Sequence, residues 1–162
     1  MTVVSTTKDA EALTLVLVAE LDAPVERVWR LWSDPRQLER WWGPPCWPAT
    51  FEEHDLRPGG RARYYMTGPN GEKSRSWWRV LAVDEPRSLE YEEGFCDESG
   101  EPNPDMPATR AVVELAENGA GTRMTVTSYF PDAAGMARLV EMGMVEGFTM
   151  ALDQIDAILA EG

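Results

Sequence analysis

The chain has one histidine, two cysteines and little positive charge, 15 Lys and Arg against 28 Asp and Glu. Each scarcity excludes something. With a single histidine, His54, only one side chain has an ordinary titration range near neutrality. Cys46 and Cys96 have no partner at metal-ligand spacing and make no disulfide framework. A net charge of −13 repels phosphate, so nucleic acids and anionic membrane surfaces are poor partners. No apolar run approaches the ~20 residues of a membrane span, and the first residues lack the basic start and apolar centre of a signal peptide. The chain also lacks a P-loop, a dinucleotide-binding glycine pattern, zinc spacing and a Ser-His-Asp signature. These absences point to a cytoplasmic protein with reduced thiols, no metal and no cofactor.

What the chain has in quantity is tryptophan. Trp29, Trp32, Trp41, Trp42, Trp47, Trp77 and Trp78 fall in two short stretches. A hydrophobic content of 43% over 162 residues suits one domain with a sizeable core. Residues 1–10 are polar and read as a loose tail, which leaves a single domain over 11–162, a monomer or weak homodimer.

The most informative stretch is 131–162. Met136, Val140, Gly143, Met144, Gly147, Phe148, Ala151, Leu152, Ile155, Ile158 and Leu159 recur at steps of three and four. That spacing predicts one long amphipathic helix, started by Pro131-Asp132 because Asp accepts from free N–H groups of a first turn. About 27 residues make ~40 Å at 1.5 Å per residue. Upstream, Leu13, Leu15, Leu17, Ala19 and Leu21 alternate with other residues and predict a strand. Asp22-Ala23-Pro24 opens a helix with Asp22 as its cap. Val25, Val28, Trp29 and Trp32 form its stripe, and Leu38, Trp41 and Trp42 a second, shorter one. From Trp47 to Phe130 the pattern is strands and tight turns, with signals at Pro58-Gly59-Gly60, Asn70-Gly71, Glu85-Pro86 and Asn118-Gly119. Residues 94–108, with Pro102, Pro104 and Pro107, are too long for a tight turn and fit a segment that covers a site. The predicted architecture is α+β: a curved antiparallel sheet of six to seven strands around a long C-terminal helix, with two short helices after the first strand. This is a helix-grip fold.

In order along the chain, Asp22-Ala23-Pro24-Val25-Glu26-Arg27-Val28-Trp29, Trp41-Trp42-Gly43-Pro44, Asp55-Leu56-Arg57-Pro58-Gly59-Gly60, Gly68-Pro69-Asn70-Gly71, Asp84-Glu85-Pro86-Arg87-Ser88-Leu89 and Gly121-Thr122-Arg123-Met124-Thr125 resemble the domain of activators of the heat-shock chaperone ATPase, within the START-like (SRPBCC) superfamily. One departure stands out: Gly147-Phe148 replaces the Gly-Trp pair usual in the long helix of that family. The resemblance implies a cavity for a small, mostly apolar molecule of a lipid- or polyketide-like kind, and a chaperone as a possible partner in stress response.

The expected cavity wall comprises Trp42, Trp47, Phe51, Tyr64, Trp78, Tyr91, Phe95, Met106, Met124, Met136, Val140, Gly143, Met144, Gly147 and Phe148. Gly143 and Gly147 either leave room for a ligand or allow close helix–sheet contact. The methionines are adaptable ligand surface or ordinary core filling. Trp41, Trp42 and Trp47 stack on a flat ligand or seal the core. His54 and Glu53 are the weak candidates for catalysis, which requires them inside the cavity; the plainer alternative is a surface strand. Three functions follow: a non-enzymatic domain that carries, senses or sequesters a hydrophobic or aromatic molecule; a cyclase- or hydrolase-like enzyme or resistance protein acting on a reactive aromatic metabolite; and a chaperone ATPase modulator. In the first, segments 41–47 and 94–108 gate the cavity.

Overall fold

A computed structural model describes residues 3–161. The chain runs β1 (Val3–Asp9), β2 (Thr14–Leu21), α1 (Val25–Ser33), α2 (Pro35–Leu38), β3 (Ala49–His54), β4 (Arg61–Thr67), β5 (Lys73–Asp84), β6 (Ser88–Phe95), β7 (Thr109–Asn118), β8 (Gly121–Tyr129), α3 (Ala133–Glu141), α4 (Met144–Asp153) and α5 (Ile155–Ala160). The eight strands form one antiparallel sheet in the order β1-β2-β8-β7-β6-β5-β4-β3. From β3 to β8 the order is a meander, joined by short turns except for residues 96–108 between β6 and β7, and β2 closes back onto β8. The result is the α+β helix-grip architecture, one strand wider than expected.

The extra strand is β1, and it corrects the reading of 1–10 as a loose tail. Only Val3 of this strand is buried, so no hydrophobic alternation marks it in the sequence. Backbone pairing with β2, from Val3 opposite Ala19 to Asp9 opposite Thr14, holds it at the sheet edge. A polar edge strand also discourages pairing with other chains. Met1 and Thr2 lie outside the described residues.

Alternation builds the remaining strands. Leu15, Leu17, Ala19 and Leu21 are buried along β2, and Ala111, Val113 and Leu115 along β7. The helices cover this inner face. Asp22 does not cap α1: the N-cap is Pro24, without a side-chain hydrogen bond. Asp132 does cap α3, its carboxylate accepting from the Gly135 N–H at 2.6 Å.

The predicted single long helix is interrupted. It breaks after Glu141 and again at Gln154. Gly143, at φ 89°, adopts the left-handed conformation that glycine takes without a Cβ penalty, and α4 starts from it. Periodicity survives the break because Gly143 occupies roughly one helical step, so the apolar stripe reads as continuous. Segment 94–108 is also more ordered than an open loop. Cys96 bridges Pro102, and Asp97 Oδ1 accepts from the N–H groups of Ser99 and Glu101.

Candidate functional site

Inward-facing residues grade along the strands. At one end of the sheet they are large and apolar: Val80 on β5, Leu89 on β6, Leu115 on β7 and Met124 on β8, all buried. At the other end they are small or polar: Ser74 and Ser76 on β5, Thr109 on β7 and Ser128 on β8. The first end is filled by the tryptophans of α1 and the turn after α2. Trp32 meets Trp41 edge-on at 4.8 Å between ring centres, and Trp78 stacks on Tyr91 at 4.0 Å. Trp32, Trp41, Trp78 and Tyr91 are fully buried. Hydrogen bonds satisfy the indoles: Trp41 Nε1 donates to the Leu31 carbonyl at 3.0 Å, and Trp32 Nε1 to the Met124 sulfur at 3.3 Å.

The second end is not filled. Between α4 and the sheet lies a cavity of about 290 Å³, near the lower bound of ~300–1,000 Å³ for small-molecule sites. Leu139, Met142, Met144, Phe148 and Ala151 bound it on the helical side, with Gly143 and Gly147 between them. A Cβ placed on Gly147 would meet nothing within 4 Å. The gap in the helix face therefore opens into space and is not occupied by a protein side chain. Pro44 and Pro107 border the cavity from segments 41–47 and 94–108.

On the sheet side stands one carboxyl, Glu93. Alternation with Tyr91 turns it inward, and strand register sets it directly opposite Trp78. Trp78 Nε1 donates to Glu93 Oε2 at 3.0 Å, and the Tyr64 hydroxyl donates to the same oxygen at 2.9 Å. Burial raises the Glu93 pKa above the ordinary carboxylate value, although both hydrogen bonds oppose that shift. Burial, reinforced by the nearby Glu93, also holds the Tyr64 phenol well above its usual value, so it remains a donor.

Of the residues expected to line the cavity, the structure brings together Trp42, Tyr64, Tyr91, Phe95, Gly143, Met144, Gly147 and Phe148. Trp42 is the wall between the two ends, edge-on to Phe148 at 5.8 Å and to Trp78 at 5.1 Å; its Nε1 is buried without an acceptor among the described residues. Seven expected residues lie elsewhere. Trp78 and Met124 belong to the packed end, and Phe51 stacks behind Tyr64 at 4.7 Å. Trp47 lies beside Gly68. Met136, Val140 and Met106 are outside the wall, which α3 reaches only through Leu139 near its C-terminal end. The reading missed Glu93 and the hydroxyls of Ser76, Thr109 and Ser128. Their signal was available, since each occupies an inward position in an alternating strand.

The catalytic candidates do not reach the cavity. A bulge between Phe51 and Glu53 breaks the alternation of β3, so His54 shares a side with Phe51, at 5.6 Å between rings, instead of with Glu52. Its Nε2–H donates to the Trp32 carbonyl at 2.9 Å, which fixes the tautomer and leaves Nδ1 buried without a partner among the described residues. Burial pushes the imidazole below its usual pKa. Glu53 pairs with Arg61 at 2.8 Å on the outer side. Among the described residues no group of His, Cys, Asp and Glu has the arrangement of a metal site.

The family described as Activator of Hsp90 ATPase homolog 1-like protein matches residues 22–160. The chain belongs to this family. Activator-like domains of this kind have the START-like helix-grip fold, and solved structures agree. A solution structure of a protein from Arthrobacter aurescens is 53% identical over 99% of this chain and 94% of its own, with a TM-score of 0.96. A crystal structure of a protein from Mycobacterium smegmatis is 46% identical, covers 97% of this chain and 96% of its own, and has a TM-score of 0.90. Among curated proteins none matches the chain. The activator-like family match begins at residue 22, so β1 and β2 precede the matched span.

Proposed function

We propose that this activator-like domain binds a small, largely apolar molecule in the cavity between α4 and the sheet, and carries, senses or sequesters it without catalysis. The observation that carries the reading is the open space at Gly147. A helix with Gly147 on its inner face, started by Gly143, stands over about 290 Å³ of unfilled volume walled by aromatic side chains. Helical glycine costs ~0.5–1 kcal/mol relative to alanine, so retaining one where no neighbour demands it favours a role for the space itself. Aromatic walls and a few hydroxyls match the usual composition of small-molecule sites. A cytoplasmic location belongs to the same proposal, and the free thiols at Cys46 and Cys96 support it.

Native mass spectrometry of the purified protein, together with quenching or enhancement of tryptophan fluorescence by aromatic probes, tests this reading. A bound apolar compound that Gly147→Leu expels supports it. Absence of any bound compound, with no response of Trp fluorescence to probes, defeats it. The family description carries a second reading, chaperone ATPase modulation; stimulation of the chaperone's ATPase by wild type and by Gly147→Leu alike would favour that reading over the cavity.

A further inference from the structure

The chemistry of the cavity wall narrows what it can hold. This step rests on the cavity reading above. Apart from the buried tyrosines, the wall contains one ionisable group, Glu93, and no Lys, Arg or His. A fatty acid, a phosphate ester or any other anion would lie there unpaired beside a carboxyl, and an uncompensated buried charge is strongly disfavoured. Glu93 itself is only half satisfied. Both protein donors converge on Oε2, while Oε1 has no donor among the described residues. An ionised carboxylate offers about four lone-pair sites, so the unserved oxygen is a free acceptor on a residue that lines the cavity. The same wall carries the rings of Tyr64, Tyr91, Trp42, Phe95 and Phe148, and aromatic faces attract cations within ~6 Å. The net charge of −13 enriches cations near the surface.

We propose that the ligand is an organic amine, protonated at neutral pH and carried on an apolar or aromatic body, whose ammonium donates to Glu93 Oε1. The hydrogen bonds from Tyr64 and Trp78 hold the carboxyl in place and favour its ionised form. The apolar body lies against Phe148 and the gap at Gly147. Burial raises the Glu93 pKa, so in the acidic range entry of the ammonium is coupled to loss of the Glu93 proton to solvent. The proton balance makes affinity rise with pH through the acidic range, until the amine itself deprotonates.

Three probes of one size decide the matter: 1-naphthylmethylamine, 1-naphthalenemethanol and 1-naphthoic acid, titrated against the full chain by calorimetry, with backbone amide shifts at Gly147 and Glu93 locating the site. The amine is expected to bind at least about tenfold tighter than the alcohol, as a charge-assisted hydrogen bond requires, and the acid weakest of all. Glu93→Gln keeps an acceptor for Tyr64 and Trp78; it should cost the amine about tenfold and leave the alcohol unchanged. The wild-type series and the pH dependence of amine affinity decide the question even if that variant folds poorly. Equal binding of amine and alcohol, tightest binding of the acid, or amine affinity flat with pH overturns the amine assignment while the cavity reading stands. If none of the three shifts Gly147 or binds measurably, the cavity reading falls and the amine assignment with it.

Discussion

The two ends of the inner sheet face are built from the same strands and end in opposite conditions. At the end covered by α1, Trp32, Trp41 and Trp78 interlock and leave no room. At the end covered by α4, the residues from Val140 to Met150 contain not one fully buried side chain, although Met144, Gly147 and Phe148 face inward. Size explains the contrast. An indole fills the space between helix and sheet, whereas a glycine above serine and threonine cannot. Stability therefore concentrates at one end and vacancy at the other, which is the arrangement expected if the second end is reserved for a molecule that comes and goes.

Mutations should separate the two ends, and the largest effect belongs to the packed one. Trp32→Ala should cost ~3–5 kcal/mol, the usual range for deleting a buried large aromatic; chemical denaturation measures it, and a loss below ~1 kcal/mol would show that this end is not the stabilising core. Gly147→Leu reverses the pattern. It should abolish binding of any compound held in the cavity yet leave stability unchanged or raise it by up to ~1 kcal/mol, because a better helix former replaces glycine where a Cβ meets nothing within 4 Å. A marked loss of stability would mean that the space collapses onto the helix in solution.

The next effects are smaller and depend on pH, with opposite signs at the two ends. Glu93, at the open end, has its folded pKa raised. Its stabilising contribution is present below the unfolded value of ~4.5 and is lost as pH rises through the folded value. Glu93→Gln should remove that loss, making the variant relatively more stable at neutral pH than at pH 4. His54, behind the packed end, has its folded pKa lowered. Its contribution is present above ~6.5 and is lost as pH falls toward the folded value. His54→Gln should flatten the decline on mild acidification. Stability curves of both variants between pH 4 and 8 check the pair; slopes of the same sign would contradict the assigned environments.

Much of this was legible in the chain. Period-two burial in Leu15, Leu17, Ala19 and Leu21 and the turn chemistry of Asn118-Gly119 read directly as strand and hairpin, because both depend on neighbours in sequence. So did the inner face of the C-terminal helices, and with it Gly143 and Gly147. Three features were hidden for separate reasons. The strand β1 is held by backbone pairing, which leaves no hydrophobic signature. The bulge at β3 moves His54 to the other side of the sheet, and one extra residue in a ladder cannot be seen in an alternating pattern. The break at Gly143 divides the apolar stripe between two helices, and Met136 and Val140 fall outside the cavity while Leu139, Met144 and Phe148 fall within it.

By itself, the sequence determined the helix-grip fold and the family, because periodicity and turn residues are local and the order of motifs along the chain is specific. It also limited acid–base chemistry by supplying one histidine. Only the tertiary structure decided which inward residues meet. Register set Trp78 opposite Glu93, Tyr64 reached the same oxygen from the next strand, and α4 came to rest over the end of the sheet that carries small side chains. Those are distances between residues far apart in the chain, and they convert an ordinary alternating glutamate into the single carboxyl of a cavity walled by aromatic rings and a few hydroxyls.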